Sequence, residues 1–137
     1  MSSPSKLRDA LIIGGGPAGL SAALGLARQH KSCVLFSDAT FSNKGAHAMH
    51  GVISRDGESP EDFRQISRDQ IAKYGNTTFV DLRVVSVKKE SDHGRDVFRA
   101  TDSSGHVWLA RKLVVASGSV YSFPEIPGFK ENWPENM

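Results

Sequence analysis

Three glycines near the start of the chain have the spacing of a phosphate-binding turn. Gly14, Gly16 and Gly19 follow the apolar run Ala10–Ile13, and an alanine-rich segment with helical spacing begins at Pro17. In such a turn the first glycine permits a tight bend, the second lets a pyrophosphate approach the backbone, and the third allows close packing of helix on strand. The N–H groups at the start of the helix are then available to the phosphates. The stretch predicts the strand, turn and helix start of a dinucleotide fold.

Two histidines lie in a polar stretch that follows the second apolar run. His47 and His50 occur within Ser37–Gly57, a segment without clear periodicity that we expect to form a long ordered loop. Because imidazole titrates near neutral pH, either side chain could act as a general acid or base. The alternative is that both are ordinary loop residues. No third ligand is suggested near the His-x-x-His pair, so the sequence does not indicate a metal site.

The elements that must position these residues alternate between strand and helix. A helix is predicted over Pro17–Arg28, followed by a strand at Cys33–Phe36. A second helix is expected to begin at Pro60 with Ser59 as its cap, and a third element, Thr77–Val80, is typical of a short strand. Strands that are apolar throughout are typical of a parallel sheet covered on both faces.

The pattern then changes to the short strands of an antiparallel meander. Strands are predicted at Val84–Lys88, Asp96–Ala100 and His106–Ala110, and a separate strand at Leu113–Ala116 is expected to return the chain to the parallel sheet. We therefore expect an α/β, Rossmann-like parallel sheet with a three-stranded β-meander across one face and the first helix on the other. The crossover rule places the second strand beside the first, the third outside it, and the returning strand on the opposite side.

Length and composition exclude several classes of protein. At 137 residues the chain is about one domain, and we expect residues 1–137 to form it. No apolar run approaches a membrane span, no secretory signal is present, and the net charge of +2 does not indicate nucleic acid. The single cysteine, Cys33, allows neither an internal disulfide nor a C-x-x-C pair. The expectation is a cytoplasmic protein whose partner is a small-molecule substrate.

Taken together, the motifs resemble the first flavin-binding segment of thioredoxin-reductase-like flavoproteins, especially a fungal group that acts on secondary-metabolite dithiols. The matching stretches follow in the order of that family: Gly14–Ala23, Ala46–Gly51, Ser54–Gly57, Val114–Gly118 and Pro124–Gly128. The resemblance implies an FAD-binding fold. It also implies that Gly14, Gly16 and Gly19 hold the FAD pyrophosphate.

The resemblance assigns further residues to an FAD site. It implies that Ser117 and Gly118 form a turn near the cofactor and that the long polar loop lies along the flavin. In the family an acidic residue at the end of the second strand holds the adenosine ribose; this position falls on Ser37, and the acid follows one place later as Asp38. Because neighbouring strand residues point to opposite faces, Asp38 reaches the ribose only if the strand has already ended. Otherwise Ser37 offers an uncharged contact.

The sequence stops at Met137, where the family continues with a dithiol, an NADPH domain and a returning flavin segment. On this ground we expect a truncated domain that uses no NADPH. The strand at Leu113–Ala116 would then have an exposed edge, next to the apolar tail residues Phe123, Ile126 and Phe129. Because bare edges and apolar patches tend to be covered, we expect a homodimer or larger assembly.

Three functions are consistent with these observations. In the first, FAD is lost and the former flavin cleft catalyses a non-redox isomerisation or cyclisation, with His50 and His47 as candidate catalytic residues. In the second, the protein binds FAD and takes electrons from a partner. In the third, it is a non-catalytic module that pairs with a full-length relative. We favour the first, because the reductant domain, the dithiol and the flavin cover are missing from these residues.

Overall fold

A computed structural model describes residues 6–133 and contains two helices and six strands. In chain order they are β1 (Arg8–Ile13), α1 (Pro17–Arg28), β2 (Cys33–Phe36), α2 (Pro60–Ala72), β3 (Thr77–Val80), β4 (Val84–Asp92), β5 (Arg95–Asp102) and β6 (Val107–Val115). Within these described residues, neither helix is long and apolar enough to cross a membrane.

All six strands form one sheet in the order β3–β2–β1–β6–β5–β4. β1 runs parallel to β2 and to β6, and β2 runs parallel to β3. β5 is antiparallel to both β4 and β6. This order confirms the predicted arrangement around β1. Because the chain leaves β1 toward β2 on one side and returns on the other, the carboxyl end of β1 is the switch point at which such sheets bind ligands.

The parallel pairing predicted for Leu113–Ala116 is confirmed over Leu113–Val115, but the prediction that these residues form a separate strand is wrong. β6 is one continuous strand that belongs both to the meander and to the parallel sheet. Its first half pairs with β5, where Val107 lies opposite Thr101. Its second half, from Ala110 to Val115, runs beside β1. Two charged residues, Arg111 and Lys112, interrupt the apolar pattern in the sequence. Both side chains are exposed on a strand that continues through them, so their polarity does not mark a turn. β4 and β5 are also longer than predicted.

α1 covers one face of the parallel strands. It begins at Pro17 and ends at Arg28, as its helical spacing predicts. The core on this side is formed by buried residues of both layers, Ala10, Ile12, Leu20, Ala23, Ala27, Cys33, Leu35 and Ile71. Because three of these residues are alanines, the helix axis can lie close to the sheet and hold the turn that precedes it against the strand ends.

The meander covers the opposite face, as predicted. Apolar side chains of the parallel strands pack there against two alanines of the meander: Leu11, Val34, Phe36, Ala100 and Ala110. The Trp108 ring meets the Phe36 ring edge to face, with centroids 5.8 Å apart. This contact fixes the meander beneath the carboxyl end of β2.

The buried carboxylate of Asp102 holds Trp108 in that position. It accepts hydrogen bonds from Ser104 N at 2.9 Å, from His106 N at 3.1 Å and from the indole Nε1 of Trp108 at 2.8 Å. Burial by itself would raise the pKa of Asp102, but the hydrogen bonds from Ser104, Trp108 and His106 outweigh it and lower the pKa. Asp102 therefore holds the turn between β5 and β6 together, and Ser103 N ties this turn to Arg83 O at 2.8 Å.

The second half of β6 has a strand on one side only within residues 6–133. β1 pairs with it, whereas pairing with β5 ends at Ala110, and Val115 is exposed. In the tail, the rings of Phe123 and Phe129 lie 6.1 Å apart and are half-buried, while Ile126 is exposed. Among the described residues, the second half of β6 has the unpaired edge that we expected, whereas Phe123 and Phe129 partly cover each other. The homo-oligomer that these features suggested stays a prediction.

Candidate functional site

The glycine turn, Gly14–Gly19, joins β1 to α1 at the carboxyl edge of the sheet. Gly14 has a φ of +116°, which side-chain-bearing residues rarely adopt, and a Cβ there would overlap the carbonyl oxygen of Ala116. A Cβ on Gly19 would overlap the carbonyl oxygen of Gly14, so the first turn of α1 packs directly on the bend. These two glycines have the positions in the fold that their spacing predicts.

Gly16 differs, because neither its backbone conformation nor its packing calls for a glycine. Its φ is −78°, and no atom lies within 4 Å of the place that a Cβ would occupy. Gly16 is also the N-cap of α1, and no side chain caps the helix. The N–H groups of the first helical turn lack intrahelical acceptors, and the helix dipole places positive charge at this end. The open cradle at Gly16 therefore offers these donors to an anion.

The turn after β6 lies against the glycine turn. Ala116 N donates to Ile13 O at 2.8 Å, which carries the parallel pairing one residue past β6. The atoms nearest to a Cβ on Gly14 belong to Ala116 and Ser117. Ser117 and Gly118 are exposed at this edge. The structure thus brings together two of the sequence-predicted elements, the glycine turn and the Ser117–Gly118 turn.

An open cavity of about 290 Å³ lies on the other side of β1, at the carboxyl ends of β1, β2 and β3. We call it the β2-end cavity. It is lined by the glycine turn, the start of the long loop, α2 and the end of β3, through residues Gly15, Ser37, Asp38, Ala39, Phe41, Glu61, Arg64, Gln65, Arg68 and Asp81.

Ser37 lies in the floor of the β2-end cavity. β2 ends at Phe36, but Ser37 N still donates to Val80 O at 3.0 Å, so the backbone pairing with β3 continues through this residue. The Ser37 side chain is buried beside the glycine turn, 2.6 Å from the place of a Cβ on Gly15. Its hydroxyl is therefore a short-range polar contact next to the turn.

Asp38 lies at the exposed rim of the same cavity. Its carboxylate accepts hydrogen bonds from the Thr40 hydroxyl and, at 3.1 Å, from Thr40 N. The hydrogen bond from the Thr40 hydroxyl is the main cause that lowers the pKa of Asp38, so the carboxylate is ionised at neutral pH. Backbone pairing between β2 and β3 has ended at Asp38. Although this acid comes one place after the position expected for the ribose contact, it therefore lies in the same cavity as Ser37. Asp38 stays a candidate for the ribose.

Sequence reasoning missed the wall that α2 contributes to the cavity. Arg68 donates to both carboxylate oxygens of Asp81, at 2.7 and 3.0 Å, and Arg64 lies over the ring of Phe41. The two arginines are four residues apart on α2, which places them on one face of the helix. That spacing, combined with an aspartate directly after a predicted strand, is a signal that could have indicated these residues.

His47 and His50 do not line the β2-end cavity, and both side chains are exposed. The His50 side chain is 73% exposed, and its Nδ1 lies 3.5 Å from Asp56 Oδ1. The hydrogen bond from Gly51 N is the main cause that lowers the pKa of Asp56. The geometry gives the two histidines no enclosed site, and their catalytic role stays a prediction. Within residues 6–133, no group of three His, Cys, Asp or Glu side chains could hold a metal ion.

Comparison with known proteins identifies relatives along nearly the whole chain. Thioredoxin reductase aclD of Aspergillus oryzae is 40% identical over 133 residues, which cover 96% of this chain and 41% of the relative. Thioredoxin reductase tcpT of Claviceps purpurea is 38% identical over 136 residues, covering 98% and 42%. The crystal structure of the oxidoreductase from Agrobacterium tumefaciens superimposes with a TM-score of 0.86 at 34% identity, covering 95% and 43%.

The chain therefore spans about two fifths of the length of the relatives that it matches. Its sheet, its glycine turn and the turn after β6 form the Rossmann-like FAD-binding fold of the thioredoxin reductase structures. Residues 8–137 match the family described as pyridine nucleotide-disulphide oxidoreductase. The chain belongs to this family and corresponds to the N-terminal FAD-binding segment of its thioredoxin-reductase-like members.

Proposed function

We propose that this chain binds FAD and supplies the flavin-binding part of a thioredoxin-reductase-like oxidoreductase. The observation that carries the proposal is the open position at Gly16. The fold would tolerate a side chain there, since a Cβ meets no atom within 4 Å and the backbone is not strained. A close approach of phosphate to the backbone gives a reason for glycine at a position where the protein itself imposes none.

The residues present fit the parts of FAD that such a fold binds. Gly14, Gly16 and the uncapped start of α1 would hold the pyrophosphate, and Asp38 would accept hydrogen bonds from the adenosine ribose. The turn Ser117–Gly118 would lie near the cofactor on the other side of β1. When bound, the flavin supplies the transfer of an electron pair. The role of this chain is to bind and orient it.

Cys33 is unsuited to exchange electrons with a flavin. It is the single cysteine in the sequence, and it is buried at 0% exposure beneath α1. Burial raises the pKa of the Cys33 thiol, which disfavours the reactive thiolate. A dithiol or disulfide that reacts with the flavin would therefore come from outside these residues.

A non-redox isomerisation or cyclisation in the same cleft is less well supported by the geometry. A histidine acid or base is most effective when its surroundings hold it against the substrate and exclude water. The exposure of His50 provides neither condition. A purely structural module that pairs through the edge of β6 would likewise give no reason for the open cradle at Gly16.

The direct test is the visible absorption spectrum of the purified protein, followed by titration of the flavin-free protein with FAD. We expect flavin absorption and a measurable Kd. Asp38→Ala should raise the Kd for FAD roughly ten-fold, because a charge-assisted hydrogen bond to the ribose is lost. The matched control is Asp92→Ala, which removes an exposed acid from the β4–β5 hairpin at the opposite edge of the sheet and should leave the Kd unchanged.

One result would reverse the proposal. A protein that binds no FAD, yet catalyses a reaction that His50→Ala slows by about 10²–10⁴-fold, would support the non-redox function instead.

A further inference from the structure

We infer that Arg64, lying on the ring of Phe41, recognises the adenine base of the dinucleotide by stacking. The inference rests on the proposed function and deepens it, because it names the residues that read the base.

The contact between the two side chains forms one wall of the β2-end cavity. The guanidinium carbon of Arg64 lies 3.8 Å from the centroid of the Phe41 ring, the distance of a close cation–π contact. Both side chains are half-buried, and both line the cavity. The Phe41 ring supports the guanidinium from one side, and because Arg64 also lines the cavity, the group is within reach of a second flat ring there.

Arg68, one turn further along α2, is an arginine of the same wall whose donors are occupied by a protein carboxylate. It donates two hydrogen bonds to Asp81 and lies 4.7 Å from the centroid of Phe79. Among the described residues, Arg64 makes one long hydrogen bond, 3.4 Å to Asn43 Oδ1. Arg64 therefore keeps N–H donors and part of its guanidinium surface available for a ligand, whereas Arg68 holds the end of β3 to α2 through Asp81.

The order of the groups along the cavity favours the base as that ligand. Gly15 of the phosphate-binding turn, Ser37, Asp38 and Arg64 line the same cavity. Ser37 lies against Gly15, and Arg64 lies on Phe41, three residues beyond Asp38. Phosphate, ribose and base follow one another in the same order in the adenosine half of a dinucleotide. Partial burial lowers the pKa of Arg64, so its head group is already withdrawn from water before a ring stacks on it.

The charges of the cavity argue against a phosphate in contact with Arg64. Asp81 neutralises Arg68, and Asp38 and Glu61 add two carboxylates to the same lining. A terminal phosphate would meet net negative charge there. A neutral aromatic base meets no such repulsion, and stacking on arginine needs only its π face.

The test measures the Kd for ADP and for FAD by calorimetry on the 137-residue chain and its variants. Arg64→Ala should raise both values roughly ten-fold, the effect of losing one base-stacking contact. Arg64→Lys keeps the charge but not the plane, and it should lose almost as much. The matched control is Arg99→Ala on β5, where the side chain pairs with Glu90 and should not affect binding. Phe41→Leu, which keeps an apolar support without the ring, should lie between wild type and Arg64→Ala.

The outcomes separate this inference from the proposed function. If FAD binds and Arg64→Ala leaves both Kd values unchanged, the inference is overturned and the flavin function stands. Full retention of affinity by Arg64→Lys would assign the contact to charge and also overturn stacking. If ADP binding depends on Arg64 but FAD does not bind, the base contact stands and the flavin function fails. If the wild-type chain binds neither compound, both are wrong.

Discussion

The two described helices both begin with proline, but they differ in how the N–H groups of the first turn are capped. In α2 the N-cap Ser59 accepts a hydrogen bond from Asp62 N at 3.0 Å, and Glu61 and Asp62 add negative charge to the first turn. In α1 the N-cap is Gly16, which offers no side-chain acceptor, and the first turn contains no acid.

The difference concerns how the donors of each first turn are satisfied, and it fits the proposal that the start of α1 binds a phosphate. An N-cap hydrogen bond and acidic residues in the first turn stabilise a helix by about 1 kcal/mol or more in total. α2 has both, and α1 has neither. In α1 the donors and the positive end of the dipole remain available at the switch point of the sheet, where a bound phosphate would satisfy them.

The largest effect is expected from Gly19→Ala, which tests whether the first turn of α1 must pack on the bend. The new methyl group would overlap the carbonyl oxygen of Gly14, a backbone atom that cannot move without opening the turn. We expect a loss of more than about 3 kcal/mol in the free energy of unfolding, measured with urea.

Gly25→Ala, in the same helix, is the matched control for that change. Gly25 is exposed, and a Cβ there meets nothing within 4 Å. This variant should gain about 0.5–1 kcal/mol, because alanine is the better helix former. Similar losses at both positions would show that helix propensity, and not the contact with Gly14, determines the result.

The next largest effect is expected from Gly16→Asp, which gives α1 the kind of cap that α2 has. The carboxylate would stabilise the flavin-free protein by a few tenths of a kcal/mol, because aspartate is a good N-cap and the backbone is compatible with it. The same charge would repel the pyrophosphate and raise the Kd for FAD roughly 100-fold. Gly16→Asn caps without charge and should raise the Kd less. An unchanged Kd in Gly16→Asp would show that α1 does not face the phosphates.

The smallest effect is expected from Ser59→Ala, which removes the cap of α2. The free energy of unfolding should fall by about 1 kcal/mol, and the Kd for FAD should not change. Ser67→Ala in the middle of α2 is the control. The Ser67 hydroxyl donates to Phe63 O within the helix, and its loss should change stability by no more than about 0.5 kcal/mol. A weaker affinity for FAD in Ser59→Ala would contradict the division of roles between the two helices.

The sequence alone predicted the strand–turn–helix unit, and the structure agrees with it in detail. The helix α1 has the expected bounds, and the roles of Gly14 and Gly19 follow from their spacing. The N-cap of α2 at Ser59 was likewise predicted from the sequence and is confirmed. These features depend on residues that are close together in the chain, and apolar periodicity and glycine positions encode them directly.

The continuous strand β6 was not predictable from local patterns. Arg111 and Lys112 interrupt the apolar pattern, and two separate strands were predicted on either side of them. The sequence does not show that β6 changes partners from β5 to β1 at Ala110. The register of a strand is decided by its neighbours in space.

The sequence by itself determined the order of the elements and the position of the phosphate turn. Only the tertiary structure decided that Ser37 and Asp38 both remain in one cavity, that α2 supplies Arg64 to its wall, and that His50 lies in solvent. Arg64 and Phe41 are 23 positions apart, and their contact exists because α2 packs on α1 above the end of β2. Such contacts depend on how the elements pack together, which single-residue patterns do not specify.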